Sequence, residues 1–263
     1  MVHIDQTLCI GCGLCFKDCF GNNLKMEDGK AKVLGNCFEC GHCVAVCPKN
    51  ACSIDDNPMD DITPFALPVS PDDLLTQIKS RRSIRHYKEQ PVEREKLEML
   101  IETGRFTATG SNAQDVGYVV VQDTLEAVKP AIWEGLNAVA DNFIAQGNPG
   151  SYAFRWKKMY ENYLADPSNK RDDLFFEAPC LLILTGTETS CALAGSNIEL
   201  MAYSLGLGCL YSGFIRRAVN ASPEARAALG LEEKDATLCL LVGFPDISYQ
   251  RSAPRRTPSV LWK

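Results

Sequence analysis

Eight of the thirteen cysteines in this 263-residue chain form two copies of one spacing, CxxCxxCxxxC. Thiolates at such short intervals can surround an iron–sulfur cubane, and the last cysteine of each run then reaches the other cluster. The spacing therefore predicts two [4Fe–4S] clusters. The predicted ligand sets are Cys9, Cys12, Cys15 and Cys47 for one cluster, and Cys19, Cys37, Cys40 and Cys43 for the other.

Two other uses of cysteine fit this spacing less well. Disulfide scaffolds belong to exported proteins, and the stretch from Met1 to Asp5 has neither the charged nor the apolar region of a signal peptide. Zinc ribbons use paired CxxC units and not runs of four. Gly11, Gly13 and Gly41 lie among the cysteines and allow backbone N–H groups to approach sulfur. The stretch resembles a bacterial-type two-cluster ferredoxin, which implies one-electron transfer.

A second group of residues that could bind a ligand is the basic stretch 81–85, Arg-Arg-Ser-Ile-Arg. Arginine offers forked donors that match the oxygens of a phosphate. Alone the signal is weak, because basic residues at a helix end commonly face solvent and complement the helix dipole. Three further segments add amides, a glycine turn and more cations, namely 110–114, 207–214 and 251–256.

In this order, these segments resemble the FMN-dependent nitroreductase family over residues 72–263. The resemblance also rests on Ala178-Pro179 before an apolar strand, Asn197 ahead of 204–208, Gly243-Phe244-Pro245 and the terminal 255–258. It implies FMN at a homodimer interface. The implied phosphate and flavin-edge contacts are Arg81, Arg82, Ser83 and Arg85, with one of Arg255 and Arg256. The implied ring contacts are Ser111, Asn112 and Gln114, with Ser212 and Gly213 near N5.

The sequence departs from the family pattern at two places. Many members have a glutamate where Ser212 stands, so the electrostatics near N5 are expected to differ. The family loop often reads Gln-Pro-Trp, whereas Gln114 here precedes Asp115-Val116, and substrate stacking is expected to differ as well.

The elements that must position these residues fall into two domains and a linker. We predict a 2[4Fe–4S] ferredoxin domain over 1–57, a Pro-rich linker over 58–71 and an FMN-binding, nitroreductase-like domain over 72–263. The predicted fold class is α+β, an α/β layered sheet beside a small ferredoxin-like domain. In the first domain, 24–33 has the turn chemistry of a hairpin, and 2–5 is expected to pair with 51–55.

Hydrophobic periodicity predicts alternating strands and helices in the second domain. Expected helices are 71–80, 92–103, 125–144, 188–205 and 223–229, and expected strands are 117–122, 180–186 and 236–244. The stretch 146–175 is interpreted as an irregular, mobile cap over a site. The apolar tail 252–263 is expected to dock on a partner subunit.

Composition limits the partners. The formal charge of −6, from 27 basic and 33 acidic residues, argues against a nucleic-acid surface or an anionic membrane. No apolar run approaches the roughly 20 residues that a spanning helix requires. Oxygen-labile clusters favour a reducing environment, so a cytoplasmic location is expected.

The remaining histidines and cysteines are interpreted without a catalytic role. His42 suits a surface position of the cluster loop, because thiolates already supply both ligand sets. His86, beside Arg85, is a candidate contact of the FMN phosphate, but a surface or packing role is favoured. The five other cysteines lie mostly in apolar stretches, where a reduced thiol acts as a small hydrophobe. They are Cys52, Cys180, Cys191, Cys209 and Cys239. No catalytic side chain is predicted, since the reaction would take place at flavin N5.

The resulting hypothesis is an iron–sulfur flavoprotein oxidoreductase. Two clusters would pass electrons from a low-potential donor such as reduced ferredoxin to FMN, which would reduce a small acceptor by hydride transfer. The acceptor classes are nitroaromatics, quinones and activated alkenes. One alternative is a redox partner without a dedicated small-molecule substrate. Another is a flavoenzyme reduced by NAD(P)H, with the clusters as the electron exit.

Overall fold

The chain divides into two units in a computed structural model that describes residues 1–35, 37–55, 57, 62, 69–147, 150–165 and 172–263. The first unit comprises Met1–Val69 with Thr109–Ala113, and the second comprises Ser70–Ala108 with Gln114–Lys263. Most of the predicted Pro-rich linker, at 58–61 and 63–68, lies outside the described residues. The predicted domain boundaries therefore stay predictions.

The first unit is built from two antiparallel strand pairs and two short helices. Its elements are β1 (Val2–Ile4), α1 (Leu14–Asp18), β2 (Leu24–Glu27), β3 (Lys30–Val33), α2 (His42–Val46) and β4 (Cys52–Ile54). β1 pairs with β4 and β2 pairs with β3, so both expected pairings are confirmed. Asp28 and Gly29 turn the β2–β3 hairpin with φ values of 52° and 75°, as a two-residue primed turn requires.

The second unit contains a four-stranded sheet surrounded by helices. Its elements are α3 (Pro71–Ser80), α4 (Arg94–Arg105), β5 (Gly117–Val121), α5 (Leu125–Ala145), α6 (Gly150–Ala165), β6 (Cys180–Thr185), α7 (Glu188–Ser204), β7 (Gly208–Tyr211), α8 (Gly213–Ala221), α9 (Pro223–Ala228) and β8 (Leu238–Gly243). The strand order is β5-β6-β8-β7, and each neighbouring pair is antiparallel. This mixture of layers confirms the predicted α+β class.

The central strand β6 explains the layering. All six of its residues are buried, and successive side chains of a strand point to opposite faces. Leu181 and Ile183 join a core with residues of α5, α6, α8 and α9, whereas Leu182 and Leu184 join a core with residues of α4 and α7. Helices therefore cover both faces of the sheet.

The expectation that 146–175 is irregular is wrong for residues 150–165, and its role as a cap over a site stays a prediction. Residues 150–165 form the helix α6, which packs on α5. Ala153, Trp156 and Met159 recur every three residues and are at most 5% exposed. This spacing forms one buried stripe along the helix. Residues 148–149 and 166–171 lie outside the described residues.

The C-terminal segment from Ser252 to Lys263 has no helix or strand. Val260, Leu261 and Trp262 are 55%, 79% and 89% exposed. Its docking on a partner subunit stays a prediction. No helix in the described part of the chain is both long and apolar enough to cross a membrane.

Candidate functional site

The two cysteine runs occupy matching positions around α1 and α2. Each helix is preceded by a glycine in the left-handed region, Gly13 at φ 73° before α1 and Gly41 at φ 76° before α2. Cys19 and Cys47 follow directly as the C-terminal caps of these helices. The short internal repeat therefore folds into two similar turns that present their thiols from equivalent places.

Backbone amides donate to three of these sulfurs. Each of these N···Sγ distances is 3.3 Å, and the pairs are Asn23 to Cys19, Glu39 to Cys37 and Ala51 to Cys47. Amide donors stabilise a thiolate, and hydrogen bonds to sulfur help to set the potential of an iron–sulfur cluster. The donor set around these cysteines therefore suits clusters.

One cavity of the first unit gathers a predicted ligand set. Cys9, Cys12, Cys15 and Cys47 all line it. A Cβ on Gly11, which also lines this cavity, would lie 1.9 Å from the carbonyl oxygen of Gly29, and the Gly11 φ of 72° further favours glycine. Three members of the other predicted set pack against the small hydrophobic core of the first unit, namely Cys19, Cys37 and Cys43. The fourth member, Cys40, is exposed. The assignment of ligands to clusters stays a prediction.

The basic stretch 81–85 is joined to the edge of the large sheet. Ser83 forms a parallel bridge with Cys209 of β7, and the Ile84 amide donates to the Cys209 carbonyl at 3.0 Å. A Cβ on Gly208 would lie 2.2 Å from Cγ1 of Ile84, so glycine permits this close approach. The sheet therefore fixes the backbone from which Arg81 and Arg82 extend.

Arg81 and Arg82 line one cavity of about 380 Å³ within the second unit. Nη1 of Arg81 lies 3.1 Å from Oε1 of Glu199, a residue of α7. Nη1 of Arg82 donates to the Arg81 carbonyl, whereas Nη2 of Arg82 is buried and has no hydrogen-bond partner among the described residues. A buried donor without a partner is costly, and the cavity lining contains two guanidiniums against the single carboxylate of Glu199. The donors of this cavity therefore fit a phosphate.

The third arginine of the stretch lies elsewhere. Arg85 is exposed and is absent from the described lining of this cavity, as are Arg255 and Arg256. Nη1 of Arg255 donates to the carbonyl of the adjacent Pro254 at 3.3 Å. The structure of one chain therefore brings together Arg81 and Arg82 but not the other predicted phosphate ligands.

Ser212 begins α8 as its N-terminal cap. Its Oγ accepts a hydrogen bond from the Ile215 amide at 3.3 Å, and Gly213 is the first helical residue. The first amides of a helix lack partners within the helix, so this end can donate to a bound group. The hydroxyl that stands in place of the family glutamate is thus engaged in capping.

The loop predicted to contact the flavin ring has an uncommon backbone. Ser111, Asn112 and Gln114 adopt φ values of 51°, 55° and 45°, which is the left-handed region. Strain of this kind clusters at functional sites. Within the first unit, Nδ2 of Asn112 donates to the carbonyls of Glu39 at 3.0 Å and Phe38 at 3.4 Å.

Asp115, the second departure from the family pattern, has a structural role in the second unit. Its Oδ2 accepts from the Thr187 amide at 2.8 Å, just before α7. This hydrogen bond and others lower the pKa of Asp115. A Cβ on Gly186 would lie 2.5 Å from the Asp115 carbonyl, so the chain passes closely here. Asp115 therefore joins the segment after the polar loop to the start of α7.

Sequence reasoning missed Glu199. It lies on the buried side of α7, beside Ile198, and is 6% exposed. A carboxylate within an otherwise apolar helical stripe was the available signal, because such a side chain needs a partner when it is buried.

Comparisons with known proteins agree with this architecture. The nitroreductase family model matches residues 78–244, and a 4Fe-4S dicluster domain model matches residues 1–48. An NADPH-dependent oxidoreductase of Staphylococcus epidermidis is 27% identical over 184 residues, which cover 69% of this chain and 68% of that protein.

Two solved structures share the fold of the second unit. An FMN-dependent nitroreductase from Clostridium difficile has a TM-score of 0.55 at 19% identity, covering 73% of this chain and 100% of that one. A nitroreductase with bound FMN from Bacteroides fragilis has a TM-score of 0.54 at 21% identity, covering 72% of this chain and 99% of that one. The family match spans more than half of the residues. This chain therefore belongs to the nitroreductase family of FMN-dependent oxidoreductases and has a 4Fe-4S dicluster domain at its N-terminal end.

Proposed function

We propose that the protein passes electrons from two [4Fe–4S] clusters to FMN and thereby reduces a small nitroaromatic, quinone or activated alkene by hydride transfer. The observation that carries this proposal is the union, in one chain, of the repeated cysteine turns with a cavity that presents Arg81 and Arg82. Bound FMN would supply the conversion between one-electron and two-electron chemistry, because a flavin takes electrons singly and releases a hydride.

The phosphate end of FMN is proposed to bind in the cavity of Arg81 and Arg82. The buried Nη2 of Arg82 has no hydrogen-bond partner among the described residues. Arg81 lines the same cavity, and its side chain is one-third exposed. Charge-assisted bonds from guanidinium to phosphate are among the strong hydrogen bonds of proteins. Ser83, Arg85 and one of the Arg255–Arg256 pair are retained as further ligands from the family resemblance.

The ring end is proposed to meet the N-terminus of α8. Ser212 holds the first turn of this helix through its cap, so that the Gly213 side of the turn stays in place. A Cβ added at Gly213 would have Nη1 of Arg217, at 4.0 Å, as its one near neighbour among the described residues, so a group can approach this backbone closely. Ser111, Asn112 and Gln114 are proposed ring contacts by resemblance.

The eight cysteines of the two runs are proposed to hold the clusters in the two sets already given. The physiological electron donor would be a low-potential carrier such as reduced ferredoxin. Because clusters of this type accept one electron each, they match such a donor better than a hydride donor.

A second candidate function has NAD(P)H reduce the flavin directly, with the clusters as the exit. The observation that favours it is the 27% identity to a protein named an NADPH-dependent oxidoreductase. In both candidates the protein is proposed to act as a homodimer. The exposure of Leu261 and Trp262, 79% and 89%, supports this, because a second copy would remove their apolar surface from water.

Anaerobic redox titration separates these candidates. The purified protein is titrated with dithionite, reduced ferredoxin and NADPH in turn, while cluster and flavin absorbance are followed together. Flavin bleaching by reduced ferredoxin but not by NADPH, followed by reoxidation with a nitroaromatic or a quinone, supports the main proposal. Rapid bleaching by NADPH alone supports the second candidate. Reduction without turnover of any small acceptor would contradict the main proposal and, where NADPH does not bleach the flavin, would favour a redox-partner role.

A further inference from the structure

Glu199 is the one carboxylate among the fully buried polar residues of the described chain, the others being Thr185, Ser190 and Ser222. It sits on α7 and is 6% exposed. Removing a carboxylate from water is strongly unfavourable unless other groups compensate for the lost hydration. Its presence in the core therefore requires partners.

Arg81 supplies that compensation, and Tyr211 packs close by. Arg81 places Nη1 at 3.1 Å from Oε1 of Glu199, across 118 residues of sequence. The hydroxyl of Tyr211, on β7, lies against α7, 3.6 Å from where an added Cβ of Gly195 would stand. The Tyr211 ring lies over Gly195, one helical turn before Glu199, where an added Cβ would be 3.3 Å from the ring. The acid is thus held between the sheet and the stretch 81–85.

The pairing leaves Arg81 able to bind another anion. A guanidinium has five N–H donors, and Glu199 engages Nη1 only. The Arg81 side chain is 33% exposed, whereas the Glu199 side chain is 7% exposed, so the arginine faces the cavity and the acid lies behind it. The cavity lining contains two guanidiniums against this single carboxylate, which leaves a net positive charge. An arginine that served only to neutralise Glu199 would not need this second cation beside it.

We propose that Glu199 is a positioning residue that orients the Arg81 guanidinium so that its other N–H groups meet the phosphate of FMN. Tyr211 packs against α7 one helical turn before Glu199 and limits the space around the carboxylate. This inference rests on the proposed function, because it places the FMN phosphate in the cavity of Arg81 and Arg82. An arginine held in one orientation loses less conformational freedom when the phosphate arrives.

The test compares FMN with riboflavin, which lacks the phosphate. Dissociation constants of both are measured by flavin fluorescence for the full-length, cluster-loaded protein and for the variants Glu199→Gln, Arg81→Ala and the double variant. Glu199→Gln is expected to weaken FMN binding about tenfold and to leave riboflavin binding unchanged. In the Arg81→Ala background, Glu199→Gln is expected to have no further effect on FMN binding.

Three outcomes would overturn the inference. Equal weakening of FMN and riboflavin would assign Glu199 to the fold alone. Unchanged FMN affinity would show that Arg81 needs no such support. Tighter FMN binding would show that Glu199 competes with the phosphate for Arg81.

A second variant keeps the test decisive if Glu199→Gln does not fold. Tyr211→Phe removes only the hydroxyl that lies against α7 near Glu199 and is expected to lower the preference for FMN over riboflavin by a few-fold. An unchanged preference would refute the proposed network. If the unmodified protein itself shows no preference for FMN over riboflavin, then the proposed phosphate site is refuted, and that result is distinct from a failure of Glu199 alone.

Discussion

Replacement of Arg82 by methionine is expected to have opposite effects on the stability of the flavin-free protein and on FMN affinity. In the flavin-free fold, Nη2 of Arg82 is buried without a partner in the described chain. Methionine keeps much of the side-chain volume and removes that donor. The free energy of unfolding of the flavin-free protein is therefore expected to stay constant or to rise by up to about 1 kcal/mol, the lower part of the cost of an unsatisfied buried group.

FMN affinity is expected to fall in the same variant. Loss of one charge-assisted hydrogen bond to phosphate costs about 1.5–3 kcal/mol, which corresponds to a dissociation constant roughly 13 to 160 times larger. At a flavin concentration about 100 times the original dissociation constant, the original protein gains about 2.7 kcal/mol from FMN, whereas the variant gains only about 0.3–1.3 kcal/mol.

Chemical denaturation under anaerobic conditions, with and without FMN, measures both quantities. Arg155→Met is the matched control, because Arg155 is an exposed arginine on α6. It is expected to change neither value. A fall in the stability of the flavin-free Arg82→Met protein, with undiminished stabilisation by FMN, would refute the assignment of Nη2 as a phosphate donor.

Three further perturbations test other parts of the structure. Cys12→Ala removes a predicted ligand, so the iron content is expected to fall to about half while FMN stays bound. Iron analysis and the absorbance of clusters and flavin measure both. Loss of FMN instead would show that the two units fold together. Burial raises the pKa of Cys180 and of Cys239 to about 12, so both thiols are neutral below that pH. Mass spectrometry after iodoacetamide treatment at pH 8 should find these two thiols unmodified in the native protein and alkylated after unfolding, and rapid native alkylation would contradict their burial. A Cβ on Gly135 would lie 2.3 Å from the Ala218 carbonyl. Gly135→Ala should therefore separate α5 from α8 and reduce the free energy of unfolding by about 1–3 kcal/mol. An unchanged denaturation midpoint would show that the two helices move apart without loss of stability.

Local patterns in the sequence were sufficient for much of the fold. The Asp28-Gly29 turn specifies its hairpin because both positions need positive φ, which these residue types tolerate. The run at 180–186 predicts a strand because it is short and almost entirely apolar, and it forms the fully buried β6. Ser70 and Pro71 begin α3 as an N-terminal cap and a first helical proline, so the boundary could be read directly.

The features that the sequence did not predict depend on contacts between residues far apart in the chain. The aromatic residues of α6 look irregular beside lysines and glutamates, and only packing on α5 shows which face is buried. Likewise, Glu199 acquires its partner from a residue 118 positions away, which no local pattern specifies. The exposed Arg85, in contrast to the cavity-lining Arg81 and Arg82, could not be distinguished within a run of similar residues.

The cysteines occupy two very different environments, and this difference determines which of them oxygen would oxidise. Cys12 and Cys40 are exposed, whereas Cys180, Cys191, Cys209 and Cys239 are at most 1% exposed. Oxidation follows thiolate character and access, so oxygen is expected to damage the first unit and spare the core of the second. A preparation handled aerobically would lose the brown colour of its clusters yet remain a folded yellow protein. Assays of such a preparation would measure only the activity that does not need the clusters.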